Sequence, residues 1–321
     1  MIAPMRVSLV MTVLNEAASL PAVLETLMAQ TRPADEIVIV DGGSRDGSVE
    51  LLRASEAYLP LRIVVRPGAN ISQGRNAAIG AATGDVIAVT DAGVRLPPDW
   101  LEHLVAPFAD AAVMHVAGFF VSDPRTVFET ALGAATLPDV DEIRPRTFLP
   151  SSRSVAFRKA VWEQVGGYPE WLDYCEDLIF DLWVCAARGP FAFAPRACVS
   201  FRPRQSLESF YHQYFRYARG DGKAGLFLRR HLIRYATYLL GLPALVVGTA
   251  WFGPGVAVLG VVAGALYVSR AVRRLQRIWQ RNTIFERLAL LAWLPVILFT
   301  GDVAKMLGYP VGLVWRLRHQ R

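Results

Sequence analysis

The chain has 321 residues, enough to bury the core of one large domain or of two small ones. Its 34 basic and 28 acidic side chains give a formal net charge of +6, and 53% of its residues are hydrophobic. The basic excess lies after Arg202, between apolar stretches, and the sequence contains neither a zinc-finger pattern nor an aromatic RNA-binding pattern. We therefore expect the basic side chains to face a membrane surface and expect no nucleic acid partner.

The first 90 residues alternate short apolar runs with helical patterns. Continuous Ile/Val runs, as at 36–40, indicate strands that are buried on both faces, which is typical of a parallel sheet. The predicted strands are Val7–Val13, 36–40, Leu61–Val65 and 86–90, and the predicted helices are 17–30, 48–57 and 75–82, the last preceded by a loop at 68–74. This alternation predicts an α/β domain with a mostly parallel, Rossmann-like sheet.

Polar residues follow three of these strands where each strand ends: Asn15 and Glu16, then Asp41, then Asp91. Ligands of such sheets bind at the carboxyl ends of the strands. Glycines after Asp41 let the backbone pass close to a ligand, and the carboxylate can accept hydrogen bonds from a base or a ribose. A plain Asx turn explains Asp41 equally well. Asp91 can bind a divalent metal that bridges two phosphates.

The middle third is less regular. We predict strands at 112–121 and 154–157, a helix at Lys159–Val165, a helix from Glu176 to about 187, and a pair of strands at 191–194 and 198–201. Glu176 and Asp177 form a carboxylate pair where the second helix begins. Two interpretations stay open: acids favoured by the helix dipole in a first turn, or a general base that takes a proton from an acceptor hydroxyl.

A long apolar region begins at Tyr235. No residue from 235 to 269 is charged, a run of about 35 residues where about 20 suffice for one membrane span. Gly253-Pro254-Gly255 interrupts this run, which favours two short helices joined by a tight turn. Because arginines lie before and after the run, the positive-inside rule puts both ends on the cytoplasmic side.

A second apolar segment, 288–315, contains Asp302, Lys305 and Pro310. It is long for one span and short for two, so the sequence leaves open whether it crosses the membrane, re-enters it or lies in its interface. The arginines that follow it argue for a cytoplasmic C-terminus. These are Arg316, Arg318 and Arg321.

The motifs up to about Gly222 resemble, in kind and in order, those of family 2 glycosyltransferases with the GT-A fold. They are Thr12-Val13-Leu14-Asn15-Glu16, the Asp41 loop, Gly74-Arg75-Asn76, Thr90-Asp91-Ala92-Gly93, Gly166-Gly167-Tyr168, Glu176-Asp177 and Gln213-Tyr214-Phe215-Arg216-Tyr217. The resemblance implies a GT-A domain at 1–225, with an amphipathic helix near 206–219 along the membrane surface. A membrane module would follow at 226–321, made of a hairpin at 235–269 and the segment 288–315.

The resemblance also implies roles for individual residues. The nucleotide-sugar donor would be bound by Asn15, Glu16, Asp41, Arg75 and Asp91. Asp177 would be the catalytic base, with Glu176 beside it. Gln213, Arg216 and Tyr217 resemble the Gln-x-x-Arg-Trp motif of membrane-bound members, with tyrosine in place of tryptophan, and would bind the acceptor or the leaving diphosphate.

The metal motif departs from the family pattern. The family has Asp-x-Asp, whereas Gly93 stands here where the second acid is expected, so one hard oxygen ligand is lost. We expect that Asp91, the phosphates and waters still hold a divalent metal, Mg²⁺ or Mn²⁺. The alternative is that Arg75 or Arg95 supplies part of the positive charge that the leaving diphosphate needs.

The resemblance implies an inverting glycosyltransferase, and the apolar and basic segments predict a multi-pass protein of the cell membrane with its catalytic domain in the cytoplasm. It would move a sugar from a nucleotide-diphosphate donor to a lipid or polyprenyl-phosphate-linked acceptor. One alternative is a processive polysaccharide synthase, although the roughly 90 residues after Arg230 offer few helices for a channel. Another alternative is a membrane-anchored module that binds a nucleotide sugar or a nucleic acid without catalysis. The Glu176-Asp177 pair argues against this alternative.

Overall fold

The computed structural model describes residues 5–319, except for the side chain of Arg281. The chain forms two compact units. The first contains the residues up to Asp123 together with Asp139–Arg202, and the second contains Pro124–Pro138 together with the residues from Pro203 onwards. Residues 1–4 and 320–321, at the ends of the two predicted domains and including Arg321, lie outside the described residues.

The first unit is built on an eight-stranded sheet with the strand order β3-β2-β1-β4-β7-β6-β8-β5. The strands are β1 (Val7–Val13), β2 (Glu36–Asp41), β3 (Leu61–Val65), β4 (Val86–Val89), β5 (Val94–Arg95), β6 (His115–Ser122), β7 (Val155–Arg158) and β8 (Ala192–Phe201). β3, β2, β1 and β4 lie side by side and parallel, as the sequence predicts. β7 is antiparallel to both β4 and β6, whereas β6 and β8 are parallel.

Helices cover both faces of this sheet. They are α1 (Leu20–Met28), α2 (Ser48–Ser55), α3 (Ile71–Ala81), α4 (Trp100–Val105), α6 (Lys159–Val165) and α7 (Glu176–Arg188), with α5 (Val127–Thr136) belonging to the second unit. Leu9 and Met11 of β1 lie in one buried cluster with side chains of α1, α2 and α4. Val10 lies in the other cluster, with side chains of α3, α6 and α7. Successive side chains of a strand point to opposite faces, so continuous apolar runs suit a sheet covered on both sides.

The prediction of a loop at 68–74 is wrong after Asn70, because α3 already begins at Ile71. A capping box starts the helix: the Asn70 side chain accepts a hydrogen bond from the Gln73 backbone N–H at 2.9 Å, and the Gln73 side chain accepts one from the Asn70 N–H at 3.0 Å. Gly74, which suggested a loop, lies inside the helix. A Cβ atom on this glycine would come within 2.9 Å of the Thr12 Cγ2, so a close approach of α3 to β1 requires it.

The prediction of separate strands at 191–194 and 198–201 is also wrong, because these residues belong to the single strand β8. Pairing with β6 shifts register after Phe193 and resumes at Cys198. Pro195 lies in this irregular stretch, where the missing N–H of a proline costs no ladder hydrogen bond.

The second unit is helical. Besides α5 it contains α8 (Leu207–Ala224), α9 (Leu228–Ala236), α10 (Leu242–Phe252), α11 (Gly255–Gln276) and α12 (Ile284–His319). Its buried cluster joins Ala131 and Leu132 of α5 to Phe210 of α8 and to residues of α11 and α12, such as Leu275 and Leu294. The chain turns between α10 and α11 at Gly253, where φ is +90°.

Among the described residues of the second unit, three helices are long and apolar enough to cross a membrane, as judged by length and composition. They are Leu228–Phe252, in which a π-helical turn links α9 to α10, then α11, then α12. α12 is one helix throughout, with Pro295 and Pro310 inside it. The apolar segment predicted at 288–315 therefore lies within a single element of 36 residues.

Candidate active site

The loops after β1 and β2 are joined by hydrogen bonds from backbone to side chain. The Asn15 N–H donates to the Ser44 hydroxyl at 2.8 Å, and the Asn15 side chain accepts from the Arg45 N–H at 2.9 Å. The Glu16 N–H donates to the Ser48 hydroxyl at 2.9 Å. Because Val13 pairs with Asp41 at the ends of the two strands, the structure brings Asn15, Glu16 and Asp41 together at the carboxyl edge of the sheet.

Asp41 is fully buried, and its carboxylate forms an Asx turn. One oxygen accepts from the backbone N–H groups of Gly43 and Ser44, both at 2.8 Å, and the other accepts from the Ser44 hydroxyl at 2.5 Å. An ionised carboxylate has about four acceptor positions, so these three bonds leave room for one more donor. The structure therefore shows the Asx turn at Asp41, and a contact with a nucleoside stays a prediction.

A buried guanidinium links the next two predicted site residues. Arg75 of α3 is 3% exposed and donates to Asp91 at 3.1 Å and to Glu176 at 2.6 Å. Burial alone would lower the pKa of Arg75, but the two carboxylates outweigh it and hold this pKa above its ordinary value. Three residues that are far apart in the sequence thus form one charged cluster.

Asp91 has a second cationic neighbour that the sequence analysis did not single out. The Nε of Arg153 lies 3.9 Å from the other oxygen of Asp91. The Arg153 guanidinium lies 4.3 Å from the centre of the Phe201 ring, and the Thr90 hydroxyl donates to the Arg153 carbonyl at 2.9 Å. The antiparallel pairing of β7 with β4 places Arg153 there, and this pairing has no signature in the sequence.

Arg95, the other arginine considered for the diphosphate, lies exposed in β5, where it pairs with Ser200 of β8. The ion pairs of Asp91 in the described part of the chain are those with Arg75 and Arg153. Arg75 and Arg153 are therefore better placed than Arg95 to bring positive charge to Asp91.

The carboxylate pair Glu176-Asp177 begins α7 directly after Cys175, whose φ of +65° is in the left-handed region. Glu176 is 6% exposed and is held by Arg75, whereas Asp177 is half-buried and accepts a hydrogen bond from the Leu178 N–H at 2.8 Å. Burial, and then the charge of Asp177, raise the pKa of Glu176 to about 7, against the opposing effect of Arg75. The accessible member of the pair is thus Asp177.

Asp181 is a further acid of α7 that the sequence analysis missed. It is 3% exposed and lies four residues after Asp177, on the same face of the helix. Burial and the charge of Asp177 raise the pKa of Asp181 well above its ordinary value. Among the described residues its Oδ2 has no hydrogen-bond partner. The four-residue spacing between Asp177 and Asp181 was the one sign in the sequence that Asp181 lies near the site. The burial of Asp181 could not be deduced from the pattern of a single helix.

Gln213, Arg216 and Tyr217 lie on α8, in the second unit. The Gln213 side chain donates to the Tyr217 hydroxyl at 2.8 Å, one turn further along the helix. Gln213 and Tyr217 are half-buried, and Arg216 is exposed.

The residues around Asp91 provide only some of the ligands that a divalent metal needs. Among the described residues, no group of three or more His, Cys, Asp or Glu side chains is arranged to hold a metal ion. Asp91 offers one carboxylate, which is 31% exposed, and Gly93 offers no side-chain ligand. Mg²⁺ is often bound by one or two carboxylates together with substrate phosphates and waters, so Asp91 fits a site that the donor completes.

Residues 8–160 match the family described as glycosyl transferase family 2. The matched segment contains β1 to β7, the loops of Asn15 and Asp41, and both Arg75 and Asp91. The chain carries a family 2 glycosyltransferase domain. Asp177 and the α8 residues lie beyond the matched segment, so their roles depend on the site geometry and on the motif resemblance.

Several curated proteins are similar to this chain. An uncharacterized glycosyltransferase of Nostoc sp. is 30% identical over 171 residues, and the match covers 50% of this chain and about half (53%) of that protein. The succinoglycan biosynthesis protein ExoA of Rhizobium meliloti is 27% identical over 80% of this chain and 82% of its own length. The undecaprenyl-phosphate 4-deoxy-4-formamido-L-arabinose transferase of Aeromonas hydrophila is 39% identical over 31% of this chain and 32% of its own length.

Among solved structures, a mannosyltransferase of Pyrobaculum calidifontis in complex with GDP-Man and Mn²⁺ aligns with a TM-score of 0.57 and 18% identity. The alignment covers 100% of this chain and 89% of that one. At this identity the likeness shows a common fold, and it confirms the predicted GT-A fold class with a C-terminal helical module.

Proposed function

We propose that this glycosyltransferase moves a sugar, with inversion, from a nucleotide-diphosphate donor to a lipid or polyprenyl-phosphate-linked acceptor at the cytoplasmic face of the cell membrane. The observation that carries the proposal is the buried cluster in which Arg75 joins Asp91 to Glu176, with the half-buried Asp177 next to it. It combines a place for a diphosphate with a carboxylate that can take a proton.

The proposed donor site is based on the loops after β1 and β2, which hydrogen bonds join at the carboxyl edge of the sheet. Asn15, Glu16 and Asp41 would bind the nucleoside, and Arg75 and Asp91 would lie near the diphosphate. The Pyrobaculum structure holds GDP-Man and Mn²⁺, which supports a nucleotide sugar and a divalent metal as ligands of this fold.

The acceptor half rests on the second unit and on the relatives. The Aeromonas protein is named as a transferase that acts on undecaprenyl phosphate, which supports a lipid-linked acceptor. Three helices long and apolar enough to cross a membrane would hold the enzyme where such an acceptor resides. Gln213, Arg216 and Tyr217 would bind the acceptor or the leaving diphosphate, in keeping with their polar character.

In the proposed mechanism, Asp177 takes the proton of the acceptor hydroxyl as the new glycosidic bond forms. Glu176 is held in its ion pair with Arg75, so it positions the cluster and leaves the proton transfer to its neighbour. The leaving diphosphate gathers negative charge, and Arg153 is close enough to Asp91 to stabilise that charge.

Asp91 would hold the divalent metal together with the phosphates of the donor. When bound there, the cation would neutralise charge on the leaving diphosphate. We expect EDTA to lower turnover and Mg²⁺ or Mn²⁺ to restore it. Full activity in EDTA would instead assign this charge to Arg75 and Arg153.

The test of the proposed function is a transfer assay with the full chain reconstituted in lipid. Radiolabelled UDP- and GDP-sugars are supplied with a membrane lipid extract that contains polyprenyl-phosphate-linked sugars, whose hydroxyls serve as acceptors, and the label is followed into the organic phase. We expect one donor class to give a lipid product that carries one labelled sugar, and the Asp177→Asn variant to form it about 10²–10⁴-fold more slowly. A polymeric product would favour a processive synthase, and retention of all label in the aqueous phase with every donor would contradict the proposal.

A further inference from the structure

One face of α12 is packed against protein along most of its length. Toward its N-terminus, Leu290, Leu294 and Ile297 lie in the buried cluster with residues of α5 and α8. Further along, Gly308 and Gly312 lie so close to α8 that a Cβ atom on either would collide with a backbone carbonyl oxygen, of Phe215 and Arg219 respectively. The helix therefore has a buried side that faces α5 and then α8.

The opposite side of α12 is apolar and uncovered. We call it the apolar face, defined by these eight exposed side chains: Phe285, Leu288, Val296, Phe299, Leu307, Val311, Val314 and Leu317. At about 100° per residue these eight fall within an arc of about 140°, and the other two large exposed hydrophobic side chains of α12, Ile284 and Leu291, lie about 40° and 60° outside it. Phe285 is 81% exposed and Leu317 is 74% exposed, so the exposure extends from end to end.

The charged residues of α12 between the ends of the apolar face all lie outside its arc. They are Glu286, Arg287, Asp302, Lys305 and Arg316. By contrast, α8 contributes none of the large exposed hydrophobic side chains found among the described residues. Of these two helices, α12 is therefore the one that presents a large apolar surface without charged side chains.

The apolar face is too long for an ordinary membrane span. From Phe285 to Leu317 it extends about 48 Å at about 1.5 Å per residue. The hydrocarbon core of a bilayer is about 30 Å thick, so burying the whole face across it would require a tilt of about 50°. Transmembrane helices are tilted by about 40° at most.

The charges at the two ends of α12 also oppose a crossing. α11 ends with Arg270, Arg273 and Arg274, and only a short connection separates it from the start of α12. α12 ends with Arg316 and Arg318. A single helix that crossed the bilayer would put one of these basic ends on the outer side, against the positive-inside rule.

We propose that α12 lies in the plane of the cytoplasmic membrane interface, with its apolar face immersed among the acyl chains and α5 and α8 on its protein side. Interfacial amphipathic helices bury their apolar side about 5–10 Å deep in this way. The connected helices α9, α10 and α11 then provide the membrane crossings, and both ends of α12 stay at the cytoplasmic surface.

The first test measures depth along the apolar face. Spin labels are placed by Leu288→Cys, Phe299→Cys and Val314→Cys in the full chain reconstituted in phosphatidylcholine–phosphatidylglycerol vesicles, with the unsubstituted protein as control for the three native cysteines. Relative accessibility to oxygen and to a nickel chelate reports the depth of each label. We expect one shallow depth, equal within about 5 Å, at all three positions, and a deeper value for the matched control Val261→Cys of α11.

A spanning helix would instead give depths that pass through a maximum, because residues 288 and 314 are separated by about 39 Å along a helix axis. Strong spin–spin broadening with no preference for oxygen would show that a second copy of the chain covers the face. Either result would overturn the proposal.

The second test locates the two ends. Glu286→Cys and Arg318→Cys are labelled with a membrane-impermeant maleimide in intact cells and in inverted vesicles, after subtraction of the labelling of the unsubstituted chain. We expect both ends to react in inverted vesicles and neither in intact cells. Reaction of the two ends from opposite sides of the membrane would overturn the proposal.

Discussion

Each unit of the molecule buries an arginine–carboxylate cluster, and the two clusters differ in how their charges are balanced. In the first unit, Arg75 lies between Asp91 and Glu176, and two further acids, Asp177 and Asp181, lie on the same helix as Glu176. The acids outnumber the cation, and the pKa values of Glu176 and Asp181 are raised, first by burial and then by the charge of Asp177.

In the second unit one arginine is paired with one carboxylate. Arg234 donates to one oxygen of Asp302 at 2.6 Å, and the hydroxyls of Tyr238 and Tyr267 donate to the other at 3.1 and 2.5 Å. This network joins α9 and α11 to α12, and Asp302 is satisfied on both oxygens. An imbalance of buried charge points to proton transfer, whereas a balanced cluster between apolar helices points to a role in holding helices together. Substitutions in the two clusters test that distinction.

The largest effect is expected from Asp177→Asn. Removing a general base lowers turnover by about 10²–10⁴-fold, whereas donor binding should be nearly unchanged because the amide has the shape of the acid. Transfer assays and donor titration measure the two quantities. Glu56→Gln, an exposed acid of the same unit, is the control and should behave as the unsubstituted protein. Near-normal turnover of Asp177→Asn would remove Asp177 from the role of base.

Arg75→Met should destabilise the first unit by about 3–5 kcal/mol, because it leaves the buried Glu176 and the partly exposed Asp91 without their cation. Thermal unfolding of the purified protein measures the loss. The double variant Arg75→Met, Glu176→Gln should regain part of it, because one uncompensated charge is then gone. If the effects of the two single changes simply add, the guanidinium and Glu176 are not coupled.

The sequence predicted the parallel half of the sheet and the place of the site, but it could not predict the charged cluster. β1, β2 and β4 are mostly apolar and buried, and buried parallel strands are the elements that such runs specify. The contact between Arg75 and Glu176 joins residues that are 101 positions apart, and it depends on how α3 and α7 pack. Local patterns carry no information on that packing, which is also why Arg153 and the burial of Asp181 were missed.

The same reason explains the misplaced start of α3. A glycine inside a helix weakens the local helical pattern, and the need for Gly74 arises from a contact with Thr12 on another element. The sequence therefore does not reveal the positions at which packing against a distant element determines the residue type.

Asp302→Asn tests the balanced cluster. We expect a loss of about 1–3 kcal/mol in stability, because Arg234 and two hydroxyls lose an ionised acceptor, together with an unchanged turnover per folded molecule. Melting in detergent and transfer assays on the same preparation separate the two quantities. Thr300→Val, on the same helix, is the matched control. A large fall in turnover at an unchanged melting temperature would show that the second cluster takes part in the reaction.

The smallest effect concerns the pH dependence of transfer. Because the pKa of Glu176 is raised to about 7, its carboxyl is protonated and neutral below this pH and cannot hold Arg75 through an ion pair. As the pH rises through 7, Glu176 ionises beside Asp177 and opposite Arg75, and the cluster that positions Asp91 becomes complete. Turnover should therefore rise with pH, by up to about tenfold between pH 6 and 8 for a single group.

Glu176→Gln removes this titration while keeping the shape of the side chain and its contact with the guanidinium. The variant should be nearly independent of pH over the same range, at about the level that the unsubstituted enzyme shows on the acid side. If the rise near pH 7 persists in Glu176→Gln, another group titrates there, and Asp181→Asn is the variant that decides whether it is Asp181. If the rise in turnover near pH 7 is lost only in Asp181→Asn, the group that titrates is Asp181, the buried acid one helical turn after Asp177. The uncompensated acid of the first cluster would then be Asp181, and Glu176 would stay paired with Arg75 across this pH range.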